Sequence, residues 1–536
     1  MYIIIYDFGT SSLKTCLFDV GERITIAASS NASYGLYILE NGGAEQDTEE
    51  WWRAICDTTK ELFIKSDVSP EEVSGLAFCA QMQGVVLVDD NGKALRPAMS
   101  YMDCRGVREY KDCMGKGIIK VSGCSLYKLL RNLRVNYAGS TSVKDPVWKY
   151  KWVENNEPEI FARVDKWLDV NDYLVSRCTG KIIRTADSAF ATFLYDTRKG
   201  KEGWNKGLLK MYKVKPEHLP LIIDSTDLVG GLTDEAASDL GLKAGTPVFG
   251  GGGDTTFVNI GAGCTTPGDT HIYFGTSGWV STYLDYQTVD INAMITGVLS
   301  ANHGYFNYYA ELETAGKCYE WVKDHLAFDK INMYPEKTEI TDDFKSEFTS
   351  LYDYMSAEVS KSPPGANGVI FTPWLHGNRC PFEDANAAGM FFNIKIDTDK
   401  RDMIRAVLEG ICYHLRWLLE CEAKKVKTSD TVRFVGGGSL SPVICQMLAD
   451  ITGRTIETVD NAQKVGAMGA AIVAAAGLTG EDANDLSRRI VTANRTYLPE
   501  SKNHGIYERN YAVFKKLYKS NAAHFKTLNS KIGEAE

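Results

Sequence analysis

The sequence predicts an α/β fold built as two similar lobes. Three observations carry this. The chain has 536 residues, enough for two to four domains at about 150 residues each. Apolar, β-branched runs alternate with amphipathic segments along its length. One strand–FGTS–strand pattern also occurs twice, about half a chain apart, and a repeat at that period means paired lobes rather than a solenoid.

In chain order, residues 2–6 (YIIIY) and 13–18 (LKTCLF) read as strands joined through DFGTSS, a hairpin with a glycine-centred turn. HIYF, GTSG and WVSTYL repeat it near residue 270. Between the hairpins, EQDTEEWWRAICDTTKELFIKS reads as an amphipathic helix with Asp47 at the N-cap and Glu50 at N3. VSGLAFCA and VVLVDD read as strands, and PVWKYKWVENN with WLDVNDYLVSRCTG as an α-rich stretch. TPVFGGGGD is a strand ending in a glycine run. The second half supplies helices ETAGKCYEWVKDHL and MIRAVLEGICYHLRWLLECEA, strand TVRFV, turn GGGS and helix PVICQMLADITG. Such alternation predicts mixed sheets covered by helices. The lobes are expected to divide near 257–265, giving 1–257 and 258–536. Residues 115–145 show no clear periodicity and read as an irregular, partly exposed insertion. Beyond about residue 500 a charged helix runs towards the end.

The composition, 44% hydrophobic and 24% charged, is that of an ordinary globular chain. A net charge of -10 argues against nucleic-acid binding, which needs a basic face. It does not argue against a nucleotide held by backbone amides and a metal. Thirteen cysteines without a CxxC pair point to reduced thiols, several of them core residues, rather than zinc ligands. The apolar start MYIIIYDFG is too short for a signal or a membrane span, so a cytoplasmic protein with no membrane partner is expected.

No GxxxxGK[ST] is present, which excludes a P-loop, and no GxSxG supports a serine hydrolase. Phosphate binding must then use glycine turns. In Asp7-Phe8-Gly9-Thr10-Ser11-Ser12, Gly9 lets the backbone approach a phosphate and the following amides and hydroxyls donate to it. Asp7 is placed to hold Mg²⁺, usually through water. Gly275-Thr276-Ser277-Gly278 offers the same donors but has Tyr273 where the first hairpin has Asp7, so the two cannot have equal roles. Gly436-Gly437-Gly438-Ser439 offers a flat backbone surface and a helix N-terminus. Asp254 follows four glycines and suits the residue that orients or deprotonates an attacking hydroxyl. The alternative is that Asp254 caps the helix beginning TTFVNIGAG.

Together these motifs resemble the FGGY family of carbohydrate kinases, and its xylulokinase-like members most. The resemblance rests on DFGTSSLK (7–14), EQDTEEWW (45–52), AQMQG (80–84), YMDCRG (101–106), PVWKYKWVENN (146–156), GGGGDTT (250–256), FGTSGW (274–279), PWLHGNRCPFEDANAAG (373–389) and VGGGSLSP (435–442), in that order. It implies an actin-like, ribonuclease H-like fold of two lobes with the site in the cleft between them, and ATP with Mg²⁺ as donor. It makes Asp254 the catalytic base, with Asp7 and Asp254 near the metal. It puts Gly9, Thr10, Ser11, Gly275 and Thr276 at the phosphates, and Gly316, Glu320, Gly437 and Gly438 around the adenosine. Met82, Gln83, Tyr101, Asp103 and Thr255 fall on the sugar side, where an unpaired polar group penalises the wrong sugar. Xylulokinases usually have His where this chain has Gln83, Trp in place of Tyr101, and Asn or Gln in place of Thr255, so the departures gather on the acceptor side.

The expected reaction is phosphorylation of a small sugar or polyol, a ketopentose such as xylulose first. Rival acceptors are another ketopentose, a deoxysugar, erythritol or glycerol, gluconate, or a signalling furanosyl compound. Gluconate would want a cation, for which Arg105 is the candidate. A non-kinase actin-like ATPase and a silent binding protein are the remaining alternatives. Members of the family are often dimers; the sequence shows no distinct interface, and a homodimer stays open.

Overall fold

The computed structural model of the chain describes residues 1–121, 123–327 and 356–530. Two large sheets organise it, and their centres share one topology. In the first sheet the order is Ile24–Ser33, Ser12–Val20, Tyr2–Phe8, Val73–Ala80, Pro247–Phe249. The first three strands are antiparallel and the next two are added parallel. In the second sheet the order is Phe306–Leu312, Gly278–Leu284, Thr270–Phe274, Thr431–Val435, Thr455–Val459, with the same directions. The repeated hairpin thus forms the second and third strands of a repeated five-strand unit, as the two-lobe reading expects.

Side-chain alternation decides what each face of the first sheet meets. Ile4, Tyr6 and Phe8 enter a core with Trp51, Ile55 and Leu174, from the Thr48–Ile64 and Val170–Thr179 helices. Ile3 and Ile5 face the other way, against the Asp254–Gly261 and Val465–Thr479 helices. Both faces are covered, which is why the strand reads as an unbroken apolar run. Asp7 shares the parity of Ile3 and Ile5 and so points towards the Val465–Thr479 side.

That helix is the part of Ala462–Thr479, the one segment among the described residues long and apolar enough to cross a bilayer. Its apolarity is used inside the protein. It crosses Asp254–Gly261 at near contact: a Cβ on Gly261 would lie 1.9 Å from the Val465 carbonyl, and one on Gly469 would lie 2.2 Å from the Phe257 carbonyl. A segment late in the chain therefore covers the first sheet. The second sheet packs on the Lys400–Ala423 helix around Ile404, Leu408, Ile411 and Leu415. All thirteen cysteines are free, and ten are buried, as expected of reduced core thiols.

Asp47 is the N-cap of Thr48–Ile64, and its side chain accepts from the Glu49 N–H. Glu50, at N3, bonds instead to the Gly35 N–H and the Tyr37 hydroxyl. The 115–145 stretch is more ordered than its sequence suggested. It holds a short hairpin, Lys120–Val121 with Cys124–Ser125, and an eleven-residue helix, Leu126–Asn136; Ser122 lies outside the described residues. This helix buries Asn132, Val135 and Asn136 while Tyr127 and Leu130 are exposed. Its apolar pattern therefore does not mark its buried face. The terminal helix spans Ser501–Asn529.

Candidate active site

Three neighbouring strands set the geometry. Asp7 pairs with Cys79 across the Tyr2–Phe8 and Val73–Ala80 strands, and Cys79 pairs with Gly252 on the far side. At about 4.8 Å per strand, the Asp7 and Gly252 backbones lie roughly 10 Å apart. Asp254 follows two residues later and opens its helix.

Gly253, not Asp254, is the N-cap. One Asp254 oxygen accepts from the Thr255 N–H at 2.7 Å, and the other makes no hydrogen bond among the described residues. The glycine run is demanded by internal packing rather than by access for a ligand. A Cβ on Gly250, Gly251 or Gly252 would lie 2.5–2.6 Å from the Asp224 carbonyl, the Phe78 carbonyl or Asp187 Oδ2. One on Gly253 would lie 2.3 Å from the Met82 side chain. Asp187, which sequence reasoning missed, is buried and accepts from the Gly253 N–H (2.7 Å) and the Thr256 hydroxyl (3.2 Å), on either side of Asp254.

The electrostatics set Asp254 apart. Burial, reinforced by the negative field of Asp7, pushes its carboxyl up to about 7. Burial also raises Asp7, against the opposing charges of Lys14 and Lys464. Glu311 adds to the field on Asp254 and is paired with Arg379 at 3.0 Å. Arg379 belongs to the 373–389 motif, but nothing in its spacing marked it as a cleft cation.

Several of the residues that the sequence assigns to the acceptor come together. The Thr255 hydroxyl reaches Met82 Sδ at 3.4 Å, joining the Asp254 turn to the MQG turn. The Thr10 and Tyr101 hydroxyls are 3.2 Å apart, joining the first glycine turn to the YMD motif. Gln46 donates to the Thr10 carbonyl (2.7 Å) and accepts from Gln81 (2.9 Å). The Gln83 side chain is half-buried, and its amide makes no hydrogen bond among the described residues. Asp103 is placed differently. It is wholly buried, and its carboxylate is taken up by the Ala44 N–H and by Arg105, so it braces the wall from behind. Arg105 is buried, paired with Asp103 and Glu45, and lies over Trp152. It is no free anchor for an acid.

Of the residues that the sequence assigns to the nucleotide, Gly275, Gly437 and Gly438 border Phe274. The Gly275 carbonyl accepts from the Gly316 N–H (2.8 Å), and the Thr276 carbonyl from the Lys317 N–H (3.1 Å). Gly436 and Gly438 press on Phe274, where a Cβ would come within 2.6 Å. Gly437 is exposed, with its nearest such neighbour, the Phe274 carbonyl, 4.0 Å away. Thr276 is exposed at the tip of its turn. Glu320 is exposed on Gly316–Val322, one turn beyond Gly316. In the first hairpin, Gly9 N–H donates to the Ser12 carbonyl (2.9 Å), and Ser11 is exposed. An open backbone face beside two exposed hydroxyl turns fits a nucleotide and its phosphates.

The sequence matches two family models. The N-terminal domain model of the FGGY family of carbohydrate kinases covers residues 2–261, and the C-terminal domain model covers 271–478. The chain belongs to the FGGY family of carbohydrate kinases. It is 30% identical over 523 residues to a xylulose kinase of Staphylococcus epidermidis, covering 96% of this chain and 95% of that one. It is 26% identical over 460 residues to a gluconokinase of Bacillus subtilis, covering 84% and 82%. The ligand-bound xylulose kinase structure from Lactobacillus acidophilus superposes with a TM-score of 0.83 at 22% identity, over 98% and 99% of the two chains. This FGGY kinase is therefore an ATP-dependent sugar kinase with the two-lobed actin-like fold.

Proposed function

We propose that this FGGY kinase phosphorylates a ketopentose, xylulose first, with Asp254 as general base. The observation that carries the reading is the position of Asp254. It opens a helix between the acceptor wall and Asp7, with one carboxylate oxygen unbonded among the described residues and its proton affinity lifted to about 7. A base in that range accepts a hydroxyl proton at neutral pH far better than an ordinary exposed carboxylate. The acceptor hydroxyl gives its proton to Asp254 as its oxygen attacks the γ-phosphorus, and the bond from that phosphorus to the β–γ bridging oxygen breaks as ADP leaves.

Met82, Gln83, Tyr101 and Thr255 form the wall that reads the acceptor, held from behind by Asp103. Asp7 and Asp254 would hold the metal, and Gly9, Thr10, Ser11, Gly275 and Thr276 would take the phosphates. Gly316, Glu320, Gly437 and Gly438 border the adenosine. Bound Mg-ATP supplies the phosphoryl group and the neutralising charge that its transfer requires. Residues 1–257 carry the wall and base and 258–536 the nucleotide side, working in the cytoplasm. The similarity to a gluconokinase makes gluconate the second reading. Because Arg105 is buried among its ion pairs, the exposed Arg379, paired with Glu311 alone among the described residues, is then the cation that would meet its carboxylate.

The test is ADP release with Mg-ATP against ketopentoses, deoxysugars, polyols and sugar acids, with Asp254→Ala in parallel. Xylulose well above the ATP-only background, with kcat lost about 10²–10⁴-fold in Asp254→Ala, is expected. Near-normal turnover by that variant would remove Asp254 from its role.

A further inference from the structure

Gln83 adopts φ +63°, a left-handed backbone that residues other than glycine rarely take and that persists only where surroundings impose it. Here both of its backbone groups are held. The Gln83 N–H donates to Asp169 Oδ2 at 3.0 Å, and its carbonyl accepts from Lys149 Nζ at 2.6 Å. The same two side chains hold what lies next to it. Asp169 Oδ1 accepts from the Gly84 N–H at 2.8 Å, and Lys149 donates to the Ser100 carbonyl at 2.9 Å. Ser100 directly precedes Tyr101. One buried ammonium therefore fastens the MQG turn to the YMD segment.

Asp169 is the N-cap of Val170–Thr179 and also accepts from the Val170 N–H at 2.8 Å. It thus moors the turn to a helix packed in the lobe's core. Gly84 makes the approach feasible, since a Cβ there would lie 2.7 Å from Val170 Cγ2 and 3.0 Å from Asp169 Oδ1. Lys149 is 0% exposed and Asp169 4%. Burying an ammonium against two carbonyls is a costly way to gain stability, because an apolar side chain of similar size fills such a space without desolvating a charge. What the lysine does that an apolar residue cannot is fix two carbonyls, one from each acceptor motif, in a single geometry.

We infer that Lys149 and Asp169 are positioning residues for acceptor recognition, clamping Gln83 in its left-handed conformation so that its free amide, together with Tyr101, faces the acceptor. This rests on the acceptor wall proposed above. It adds to that wall a buried device, one layer behind the side chains that touch the sugar.

Asp169→Asn is the sharpest test. An isosteric asparagine keeps one oxygen for the Gly84 and Val170 N–H groups and turns an NH₂ towards the Gln83 N–H, so it removes one half of the clamp alone. Steady-state kinetics of the full-length enzyme, with D-xylulose and D-gluconate as acceptors, should show the acceptor KM raised about tenfold and the ATP KM within about twofold. In a Gln83→Ala background the same substitution should add nothing, since the clamp acts through Gln83. Lys149→Met should likewise raise the acceptor KM and, because it also frees the Ser100 carbonyl beside Tyr101, should keep part of that effect in the Gln83→Ala background; if it does not fold, Asp169→Asn carries the test. Gln83→Gly, which takes φ +63° without strain, should be as stable as the parent or more so and still lose acceptor affinity. Additive effects of Asp169→Asn and Gln83→Ala, or equal shifts in both KM values, would overturn the clamp. An inert Gln83→Ala would instead sink the acceptor wall itself. Turnover of neither acceptor would overturn the substrate reading beneath both.

Discussion

The two glycine hairpins occupy the same place in the same five-strand topology, yet they are chemically unequal. In the first, Asp7 lies between Lys14 on one neighbouring strand and Cys79 on the other, and its field reaches Asp254. In the second, Tyr273 fills the equivalent position and stacks on Trp279, with centroids 3.8 Å apart and planes 8° from parallel. Its glycine turn is held by the Gly316 N–H, where the first is held by the Tyr34 hydroxyl and the Gln46 amide. The duplication supplied two phosphate-sized turns; only one gained a charge. A repeated scaffold thus need not mean a repeated function, and the residue that separates the two sits on the strand just before the turn.

The comparison is most easily broken by exchanging what differs. Asp7→Asn should lower kcat with the best acceptor by about 10²-fold, equivalent to about 2.7 kcal/mol at the transition state. Tyr273→Phe should keep the stack and leave kcat within about twofold. Equal losses in a steady-state assay would show that the hairpins share the work.

The next effect is on stability, where tight and open glycines part. Gly261→Ala forces a methyl to 1.9 Å from a carbonyl at the helix crossing and should cost about 1–3 kcal/mol by denaturant titration. Gly437→Ala, with open space around it, should cost less than about 0.5 kcal/mol and act on the ATP KM alone. A large stability loss there would mean that its turn is packed rather than presented.

A third contrast concerns the charge on Asp254. Asp254 binds its proton more tightly in the folded state, near 7, than in the unfolded chain, where a carboxyl titrates at about 3.9. Between those values the folded state holds the extra proton, so this group makes stability fall as pH rises, and the loss is complete above about 7. In EDTA, Asp254→Asn should therefore raise Tm at pH 8 and leave it almost unchanged at pH 4. A gain confined to low pH would reverse the assigned shift.

Much of the fold and of the site is legible in the amino-acid sequence. The strands flanking both FGTS turns, the Asp47 cap and the long 400–423 helix follow from apolar period and cap chemistry, which are local. Asp7 and Asp254 stand out because each lies within two residues of a glycine in a motif. The Leu126–Asn136 helix escapes because it hides asparagines and shows Tyr127 and Leu130 to solvent. Lys149, Asp169 and Asp187 escape for another reason: each binds backbone groups far away in sequence, and a charge satisfied by a distant amide or carbonyl leaves no periodic trace.

The sequence alone determined the two-lobe repeat, the absence of a P-loop and the asymmetry between Asp7 and Tyr273, because these depend on residue identity within a few positions. Only the tertiary structure decided that the four glycines answer to internal crowding, that Asp103 and Arg105 neutralise each other behind the wall, and that a helix from residue 465 onward covers the first sheet. Those outcomes depend on which distant atoms arrive within about 3 Å of one another, and close packing settles that only once the whole chain is in place.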